Sequence, residues 1–337
     1  MDTSNCNISI PGFEFAPELI DAAMARRGLL SIEIELSRLC NFRCPYCYAS
    51  AKGDAATELD DAQLRDVIVQ AQELGARKII VLGGEPMLHP RLFSTLEFIH
   101  ERGLESEMFT NGTGISARKA RLLYDLQVNV ALKMNTFDRR TQDMLAGHDG
   151  AYDIIHTALR NLTEAGYPGP GLRPFLAVST IMCSLNEHEL VKLWIWLRDR
   201  NILPYFEMVT PQGNAVENDW LPLDPERNRQ IFEEIRRIDR ERYDQTWLPQ
   251  PPLVAHRCQR HKFSCLVNAQ GEVMPCVGVP IVVGNVRERR LADILADSEV
   301  VHDLRNHRQW IKGPFGQCEI SEQCYGCRGA AYNLTGD

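Results

Sequence analysis

Three cysteines near the amino end of the chain have the spacing of a metal-cluster site. Cys40, Cys44 and Cys47 follow one another in a CxxxCxxC pattern. A four-iron cluster held by three thiolates keeps one iron without a protein ligand, whereas structural clusters and closed zinc sites use four protein ligands. The pattern therefore predicts an iron–sulfur cluster with one iron open to a small molecule. A zinc knuckle is the alternative.

A second group of cysteines lies near the carboxyl end. Its members are Cys258, Cys276, Cys324 and Cys327, and four thiolates suffice for a closed cluster. The stretch 263–275 between the first two contains an Asn-Ala-Gln-Gly turn and predicts a β-hairpin, which would present ligands at fixed spacing. A zinc ribbon is the alternative, because four cysteines alone do not distinguish zinc from iron.

Short apolar runs alternate with helical periodicity over the first two thirds of the chain, which predicts parallel βα units in an α/β fold. The predicted strands are residues 31–36, 78–82, 105–110, 128–134, 175–182 and 203–209. The predicted helices are residues 61–74, 117–126, 152–165, 187–201 and 225–242.

Polar residues and glycines stand at or near the carboxyl ends of these strands. They are Gly83, Gly84, Glu85 and Pro86 after the second strand, Asn111 after the third, Lys133 and Asn135 at the fourth, Ser179 on the fifth and Glu207 on the sixth. In parallel α/β barrels the loops at these ends converge on one mouth, where the chemistry takes place. The pattern predicts a single site at that mouth.

The cysteine triplet after the first strand, followed by a Gly-Gly-Glu-Pro turn after the second, resembles the signature of the radical S-adenosylmethionine (SAM) superfamily. The resemblance implies a partial (β/α)6 barrel in which a [4Fe-4S] cluster on Cys40, Cys44 and Cys47 binds SAM and cleaves it to a 5′-deoxyadenosyl radical. The Cys-x12-Gly-x4-Cys element of the tail resembles the SPASM/twitch subclass. It implies one auxiliary [4Fe-4S] cluster, because Phe315 stands where the full pattern would have another cysteine.

The same resemblance implies which residues contact SAM. They are Tyr46 against the adenine, the turn residues Gly83, Gly84, Glu85 and Pro86, and the strand-end residues Asn111, Lys133, Asn135 and Ser179. Lys133 and Asn135 depart from the Ser-Leu-Asp run common in relatives, and Lys133 could instead extend to solvent. The implied domains are an extension at 1–28, the barrel at 29–215, a helical connector at 216–255 and a twitch domain at 256–337.

Cys183 follows the fifth predicted strand, and two fates are open to it. It could be a small buried hydrophobic residue. Alternatively its thiol could return a hydrogen atom to a substrate radical and so invert a carbinol carbon. Without such a donor the radical would lose a proton and pass an electron to the auxiliary cluster, giving a ketone.

Chain length, one twitch cluster and Cys183 together resemble the enzymes that epimerise or oxidise sugar carbinols in aminoglycoside biosynthesis, such as the epimerase of hygromycin B biosynthesis. The resemblance implies a radical SAM epimerase acting on a cationic sugar or aminoglycoside, with a dehydrogenase as alternative. A peptide-modifying twitch enzyme is a further alternative, although only about thirty residues precede the first strand. An electron donor such as flavodoxin or ferredoxin is implied as partner.

Glu33, Glu35 and Glu207 are carboxylates on otherwise apolar strands, where an unpaired charge is costly. They either pair with Arg or Lys inside the barrel, or Glu35 and Glu207 receive the ammonium groups of a cationic substrate. Of the cysteines not yet assigned, Cys265 is predicted to be a buried hydrophobic residue and Cys318 a spare thiol or substitute ligand; Cys6 lies in the amino-terminal stretch.

The amino-acid composition limits the classes of partner that are expected. The 337 residues carry a net charge of −8 with acidic and basic residues interleaved, so no basic face for nucleic acid is expected. No apolar run approaches the ~18 residues that span a bilayer, and the amino end does not resemble a secretory signal, so no membrane partner is expected. Eleven cysteines in tight groups favour metal ligation over disulfides, and the predicted location is cytoplasmic.

Overall fold

A single nine-stranded sheet forms the centre of the molecule. The computed structural model describes residues 15–50, 57–319, 321, 324 and 326–336. The strand order is β6-β5-β4-β3-β2-β1-β7-β8-β9. The first six strands are parallel and each pairs with its predecessor in sequence. They are β1 (Ser31–Glu35), β2 (Lys78–Leu82), β3 (Glu105–Thr110), β4 (Asn129–Lys133), β5 (Leu176–Met182) and β6 (Leu203–Met208).

These six strands are the predicted ones, with ends shifted by one residue at most. They read as apolar runs because helices and loops cover both of their faces. All seven residues of β5 are buried, and the strands supply much of the main apolar core. The α/β fold with parallel βα units is therefore confirmed.

Helices connect successive strands. They are α1 (Pro17–Ala25), α2 (Asp61–Glu73), α3 (Leu92–Glu101), α4 (Ala117–Asp125), α5 (Arg139–Ala146), α6 (Ala151–Ala165), α7 (Leu190–Arg198) and α8 (Pro225–Tyr243). Asp60 caps α2 as predicted, in a reciprocal capping box with Gln63. Helices α1, α3 and α5 were not predicted. No helix among the described residues is long and apolar enough to cross a membrane.

Helix α7 begins later than the sequence pattern predicts. The segment before it is turned, because the Asn186 amide donates to the carbonyls of Asn135 and Ile181, each at 2.8 Å. Its carbonyl oxygen accepts from the Cys183 N–H at 2.9 Å. The side chain of Asn186 thus stabilises a turn between β5 and the helix.

The carboxyl-terminal segment joins the barrel's own sheet. Strands β7 (Leu266–Val267) and β8 (Glu272–Met274) form the predicted hairpin, which is confirmed, and β9 (Gly284–Asn285) pairs with β8. Strand β7 also pairs in parallel with β1, which was not predicted. The remaining helices are α9 (Arg260–Phe263), α10 (Leu291–Asp297), α11 (Glu299–Arg305), α12 (Gly313–Gly316) and α13 (Arg328–Thr335).

Candidate active site

A cavity of about 250 Å³ opens at the carboxyl ends of the parallel strands. Its walls include residues at or just beyond the ends of β2 to β6, together with the loop that follows β1 and part of the carboxyl-terminal segment. The predicted site residues on these walls are Cys40, Cys44, Tyr46, Cys47, Gly83, Gly84, Glu85, Asn111, Lys133, Ser179 and Glu207. Residues that are far apart in sequence therefore meet at the mouth, as expected for a parallel α/β barrel.

The three cysteines of the CxxxCxxC loop face this cavity and influence one another. Burial, reinforced by the neighbouring Cys47 sulfur, raises the pKa of Cys44 to about 12, and burial also raises the pKa of Cys40. Thiolates at such positions are unfavourable unless a cation compensates their charge. Three half-buried thiols around one cavity fit an iron–sulfur cluster as donor set.

The Gly-Gly-Glu turn after β2 hydrogen-bonds to the backbone just before the three cysteines. The N–H of Gly84 donates to the carbonyl of Ser37 at 2.7 Å, and that of Glu85 donates to the carbonyl of Leu39 at 2.8 Å. A Cβ added at Gly84 would lie 2.1 Å from the Leu39 oxygen, and one at Gly83 would lie 2.3 Å from the Ser37 oxygen. Both glycines are needed because two backbone segments approach closely here.

The loop after β6 also hydrogen-bonds to the loop that carries the three cysteines. The N–H of Asn214 donates to the Cys47 carbonyl at 2.9 Å, and its side-chain amide donates to the Cys44 carbonyl at 3.0 Å. Gly213 has a φ of +57°, and a Cβ there would lie 2.3 Å from the Cys47 oxygen. The first and last barrel strands thus meet through their following loops.

Glu85 is buried, and its carboxylate already has three donors. It accepts from the Thr110 hydroxyl at 2.6 Å and from the N–H groups of Asn111 and Met87 at 2.6 and 2.9 Å. Burial raises its pKa to about 7, against the effect of these hydrogen bonds. The carboxylate therefore links the β2 turn to the end of β3, which leaves it less free for the predicted contact with SAM.

Lys133 extends into the cavity and not to solvent. Its ammonium donates to the Ser179 hydroxyl at 3.1 Å, lies 3.6 Å from a carboxylate oxygen of Glu207 and stands 5.0 Å from the centre of the Tyr46 ring. Three strands and the cysteine loop are thereby linked by one cation. Glu207 has an internal partner, which is the pairing alternative considered from the sequence.

Two predicted SAM contacts do not reach the cavity. Asn135 is fully buried, where its amide donates to the Tyr46 hydroxyl at 2.8 Å and its carbonyl oxygen accepts from the Ile181 N–H at 2.9 Å. Pro86 is buried at the start of a short 3-10 helix and does not line the cavity. Asn135 instead holds the Tyr46 ring, which lines the cavity, through this hydrogen bond.

Cys183 also lies away from the cavity walls. It is fully buried in a small apolar cluster with Leu145, Ile181 and Leu221, and Tyr46 packs against this cluster. Burial raises its pKa, so the thiol stays protonated. The Asn186 side chain accepts from the Cys183 N–H directly after β5, and the complete burial of Cys183 there favours the buried alternative over the hydrogen-donor role.

Glu33 and Glu35 both have internal partners. The guanidinium of Arg260 donates to Glu33 at 2.5 Å, whereas Glu35 accepts from the Tyr48 hydroxyl at 2.9 Å and pairs with Arg38 at 3.4 Å. Glu35 does not line the cavity, so its predicted contact to a cationic substrate finds no support in the geometry. Burial raises the pKa of both carboxyl groups.

Sequence reasoning missed Arg260 and Tyr205, which also line the cavity. The Arg260 guanidinium donates to the Tyr205 hydroxyl at 3.2 Å, and the Tyr205 ring packs edge-to-face on Phe109 with centroids 5.6 Å apart. Arg260 stands 227 residues from its partner Glu33, so no local pattern could have indicated the pair. Its place two residues after Cys258 was the one available signal.

Cys258, Cys276 and Cys327 act on one another electrostatically in the carboxyl-terminal segment. Burial raises the pKa of Cys258 to about 11 and also raises those of Cys276 and Cys327. Three of the four cysteines of this group thus lie within electrostatic range of one another, and their thiols fit an iron–sulfur cluster as donor set.

The other cysteines have separate environments. Cys324 is half-buried, and its assignment as a ligand stays a prediction. Cys265 is fully buried in the main core, as expected of a hydrophobic residue, and Cys318 is exposed. Cys6 lies outside the described residues.

Two family models match the chain. The radical SAM superfamily model matches residues 34–194, and the model of the iron–sulfur cluster-binding SPASM domain matches residues 258–328. The chain therefore carries a radical SAM domain joined to a SPASM domain. The two domains imply a [4Fe-4S] cluster that binds SAM and an auxiliary cluster, and the cysteines of the two groups are the residues that would hold them.

Curated relatives share the whole length of this arrangement. The AdoMet-dependent heme synthase of Methanosarcina barkeri is 26% identical over 329 residues, which cover 90% of this chain and 92% of the relative. The PqqA peptide cyclase of Methylorubrum extorquens is 28% identical over an alignment of 345 residues, which covers 96% of this chain and 85% of the relative. Among solved structures, Streptococcus suis SuiB bound to precursor peptide SuiA has a TM-score of 0.70 at 15% identity, covering 96% of this chain and 80% of that one, which supports the fold.

Proposed function

We propose that this radical SAM, SPASM-type enzyme removes two hydrogens from a peptide substrate at the mouth of the barrel. Bound SAM and its cluster supply the radical that takes the first hydrogen atom. The residues of the chain decide what happens to the substrate afterwards. Support for a peptide comes from the peptide cyclases that align with almost the whole chain.

The observation that carries the proposal is the absence of a donor thiol on the described cavity walls. Apart from Cys40, Cys44 and Cys47, which the cluster needs, no described lining residue is a cysteine. Among the described wall residues, a substrate radical therefore finds no S–H group outside the cluster to restore its lost hydrogen. We infer that the radical then loses one proton and one electron, with the auxiliary cluster as electron acceptor. The product is then two hydrogens lighter than the substrate.

The cavity walls suit an amino-acid side chain. Phe109 and Tyr205 form an aromatic wall, while Lys133 and Glu207 offer one cation and one anion close together. Apolar walls with a few placed polar groups are the usual composition of a ligand site. Lys133 and Glu207 would hold the polar atoms of the substrate backbone or side chain, and the aromatic wall would exclude water from the reacting carbon.

The test uses reconstituted enzyme under anaerobic conditions with SAM and a chemical reductant. Pools of synthetic peptides, each with one fixed central residue, are compared with aminoglycosides for release of 5′-deoxyadenosine above the substrate-free background. We expect a peptide pool to stimulate release and its product to be two mass units lighter. A matched control with Cys44→Ala should show no release, because the SAM cluster lacks a ligand.

Sugar epimerisation and sugar oxidation give different readouts in the same experiment. An epimerase returns a product of unchanged mass that carries one deuterium when the reaction runs in deuterium oxide. A sugar dehydrogenase releases an aminoglycoside two mass units lighter. Stimulation by aminoglycosides but by no peptide pool would overturn the proposed peptide substrate, and unchanged product mass would overturn the proposed loss of two hydrogens.

A further inference from the structure

Glu33 of β1 contacts all three of the segments that carry Cys258, Cys265 and Cys276. Its backbone N–H donates to the carbonyl of Cys265 at 2.9 Å. One carboxylate oxygen accepts from Arg260, two residues after Cys258, and the other accepts from the N–H of Val277 at 3.3 Å, one residue after Cys276. The Glu33 side chain has no exposed surface. The buried Glu33 carboxylate therefore links strand β1 of the barrel to the carboxyl-terminal segment.

Arg260 lies between two sites. Its side chain, 23% exposed, lines the SAM-cluster cavity beside Val277 and Gly278. It also lines a small second cavity together with Cys258. The Glu33–Arg260 pair is thus the charged contact between the mouth of the barrel and the carboxyl-terminal cysteines.

We propose that the Glu33–Arg260 ion pair positions the auxiliary cluster against the barrel and sets its reduction potential. Neither residue is a metal ligand; each acts on the cluster through a neighbouring segment and through its charge. The inference rests on the proposed function, in which this cluster accepts the substrate's electron, and on Cys258 and Cys276 as cluster ligands. It deepens that function by naming the residues that tune the acceptor.

The two charges of the pair lie beside different cysteine segments. The Glu33 carboxylate accepts from the N–H of Val277, one residue after Cys276. The Arg260 guanidinium belongs to the segment of Cys258, two residues further along the chain. A negative charge near a cluster disfavours the addition of an electron and a positive charge favours it, and local charge is a main determinant of cluster potentials.

The test measures the potentials of both clusters by EPR-monitored redox titration of the reconstituted full chain. Glu33→Gln keeps the shape and a carbonyl oxygen for the Val277 N–H but removes the negative charge. We expect its auxiliary cluster to be easier to reduce by about tenfold in the equilibrium constant, which is about 59 mV for a one-electron couple. Arg260→Gln should shift that potential in the opposite direction by a similar amount, and the double variant should lie between them.

Three controls separate tuning from damage. Glu35→Gln removes a buried carboxylate on the same strand that pairs with Arg38 and Tyr48, and it should leave the auxiliary potential unchanged. Arg260→Lys keeps the charge and should restore most of the parent potential. The SAM-bound cluster of each variant provides an internal reference, and its potential should move much less.

The outcomes are distinct from those of the substrate test, because no substrate is present. Loss of auxiliary iron in Glu33→Gln but not in Glu35→Gln would support the positioning role. Unchanged auxiliary potentials in both Glu33→Gln and Arg260→Gln would overturn the inference. It would also be overturned if both variants shifted the potential in the same direction, or if Cys258→Ala left the EPR spectrum and the potential of the auxiliary cluster unchanged.

Discussion

The position of the Cys183 side chain distinguishes the two reaction outcomes considered, hydrogen return and oxidation. Its sulfur lies in an apolar cluster behind Tyr46 and not on the cavity wall. We therefore expect Cys183→Ala to keep substrate-dependent release of 5′-deoxyadenosine and the mass of the product. Loss of a small buried hydrophobic group should lower the free energy of unfolding by about 1 kcal/mol. Product mass spectrometry and denaturant unfolding measure the two effects.

Cys44→Ala is the matched comparison for this variant, since it removes a cysteine that does face the cavity. It should abolish 5′-deoxyadenosine release altogether. If Cys183→Ala instead gave a product two mass units lighter where the parent enzyme gave unchanged mass, the thiol would be the hydrogen donor after all and the oxidative proposal would be wrong.

Residues in the cavity were predictable to different degrees. The cysteine triplet and the two glycines were found because spacing and strand ends place them together, which local sequence can show. Asn135 was misplaced because the side chain at a strand end can turn inward as well as outward. Arg260 could not be found, since its partner lies on β1 and only the folded sheet brings the two together.

The loop after β6 holds the cysteine loop in place, so we expect its glycine to matter at the level of the element. Gly213→Ala would place a Cβ 2.3 Å from the Cys47 oxygen and 2.4 Å from the Tyr48 oxygen. Because both neighbours are backbone atoms, the cysteine loop must shift. The variant should lose iron from the SAM-binding cluster while keeping the auxiliary cluster, as iron analysis and EPR would show.

Gly171→Ala is the matched control. Gly171 has a φ of +62°, close to that of Gly213, but no atom lies within 4 Å of an added Cβ. Both substitutions cost about 1–2 kcal/mol of backbone strain, so only Gly213→Ala should lose cluster iron. Equal iron in the two variants would show that the contact between the β6 loop and the cysteine loop is dispensable.

Helices α7 and α8 are joined through a buried carboxylate. Asp239 has no exposed surface and accepts from the indole N–H groups of Trp194 and Trp247 at 2.7 and 2.9 Å, and from Arg198 at 2.6 Å. Asp239→Ala leaves two buried indole donors and the partly buried Arg198 guanidinium without this partner. We expect it to lower the free energy of unfolding by about 3–5 kcal/mol, measured by denaturant titration.

The exposed ion pair between the same two helices supplies the control for this prediction. Arg242 donates to Asp199 at 2.8 Å, and the side chains are 52% and 36% exposed. Arg242→Ala should cost about 0–1 kcal/mol, because water competes for an exposed pair. If the two variants lowered the free energy of unfolding by similar amounts, burial would not be the reason that the Asp239 network stabilises the fold.

Elements with a strong local pattern were predicted well, and those that depend on tertiary contacts were not. Most of the six barrel strands are short, mainly apolar runs between helical segments, and α2 carries a capping box, so the sequence itself marks them. Strand β7 has only two residues, and nothing local shows that it pairs with β1. The helices α1, α3 and α5 have only eight to ten residues each, which leaves few turns for a pattern to be recognised beside their flanking loops.

At the scale of the whole molecule, β1 has parallel partners on both sides. Its pairing with β2 continues the barrel, and its pairing with β7 places Glu33 opposite Leu266 and Ile34 opposite Val267. The hydroxyls of Ser31 and Ser264 also meet at 3.1 Å in the buried interior. The two cluster-bearing regions therefore share one sheet, which fixes the auxiliary cysteines relative to the barrel mouth.

A shared sheet predicts that barrel and tail open together. Native-state hydrogen exchange of the reconstituted full chain, followed by mass spectrometry at rising denaturant, should show the amides of β7 and β8 exchanging in the same cooperative step as those of β1 and β2. Helix α13, whose residues are mostly accessible, is the internal reference and should exchange earlier. If β7 and β8 exchanged with α13 instead, the tail would be a separate unit, and its cysteines would not be held against the barrel through β1.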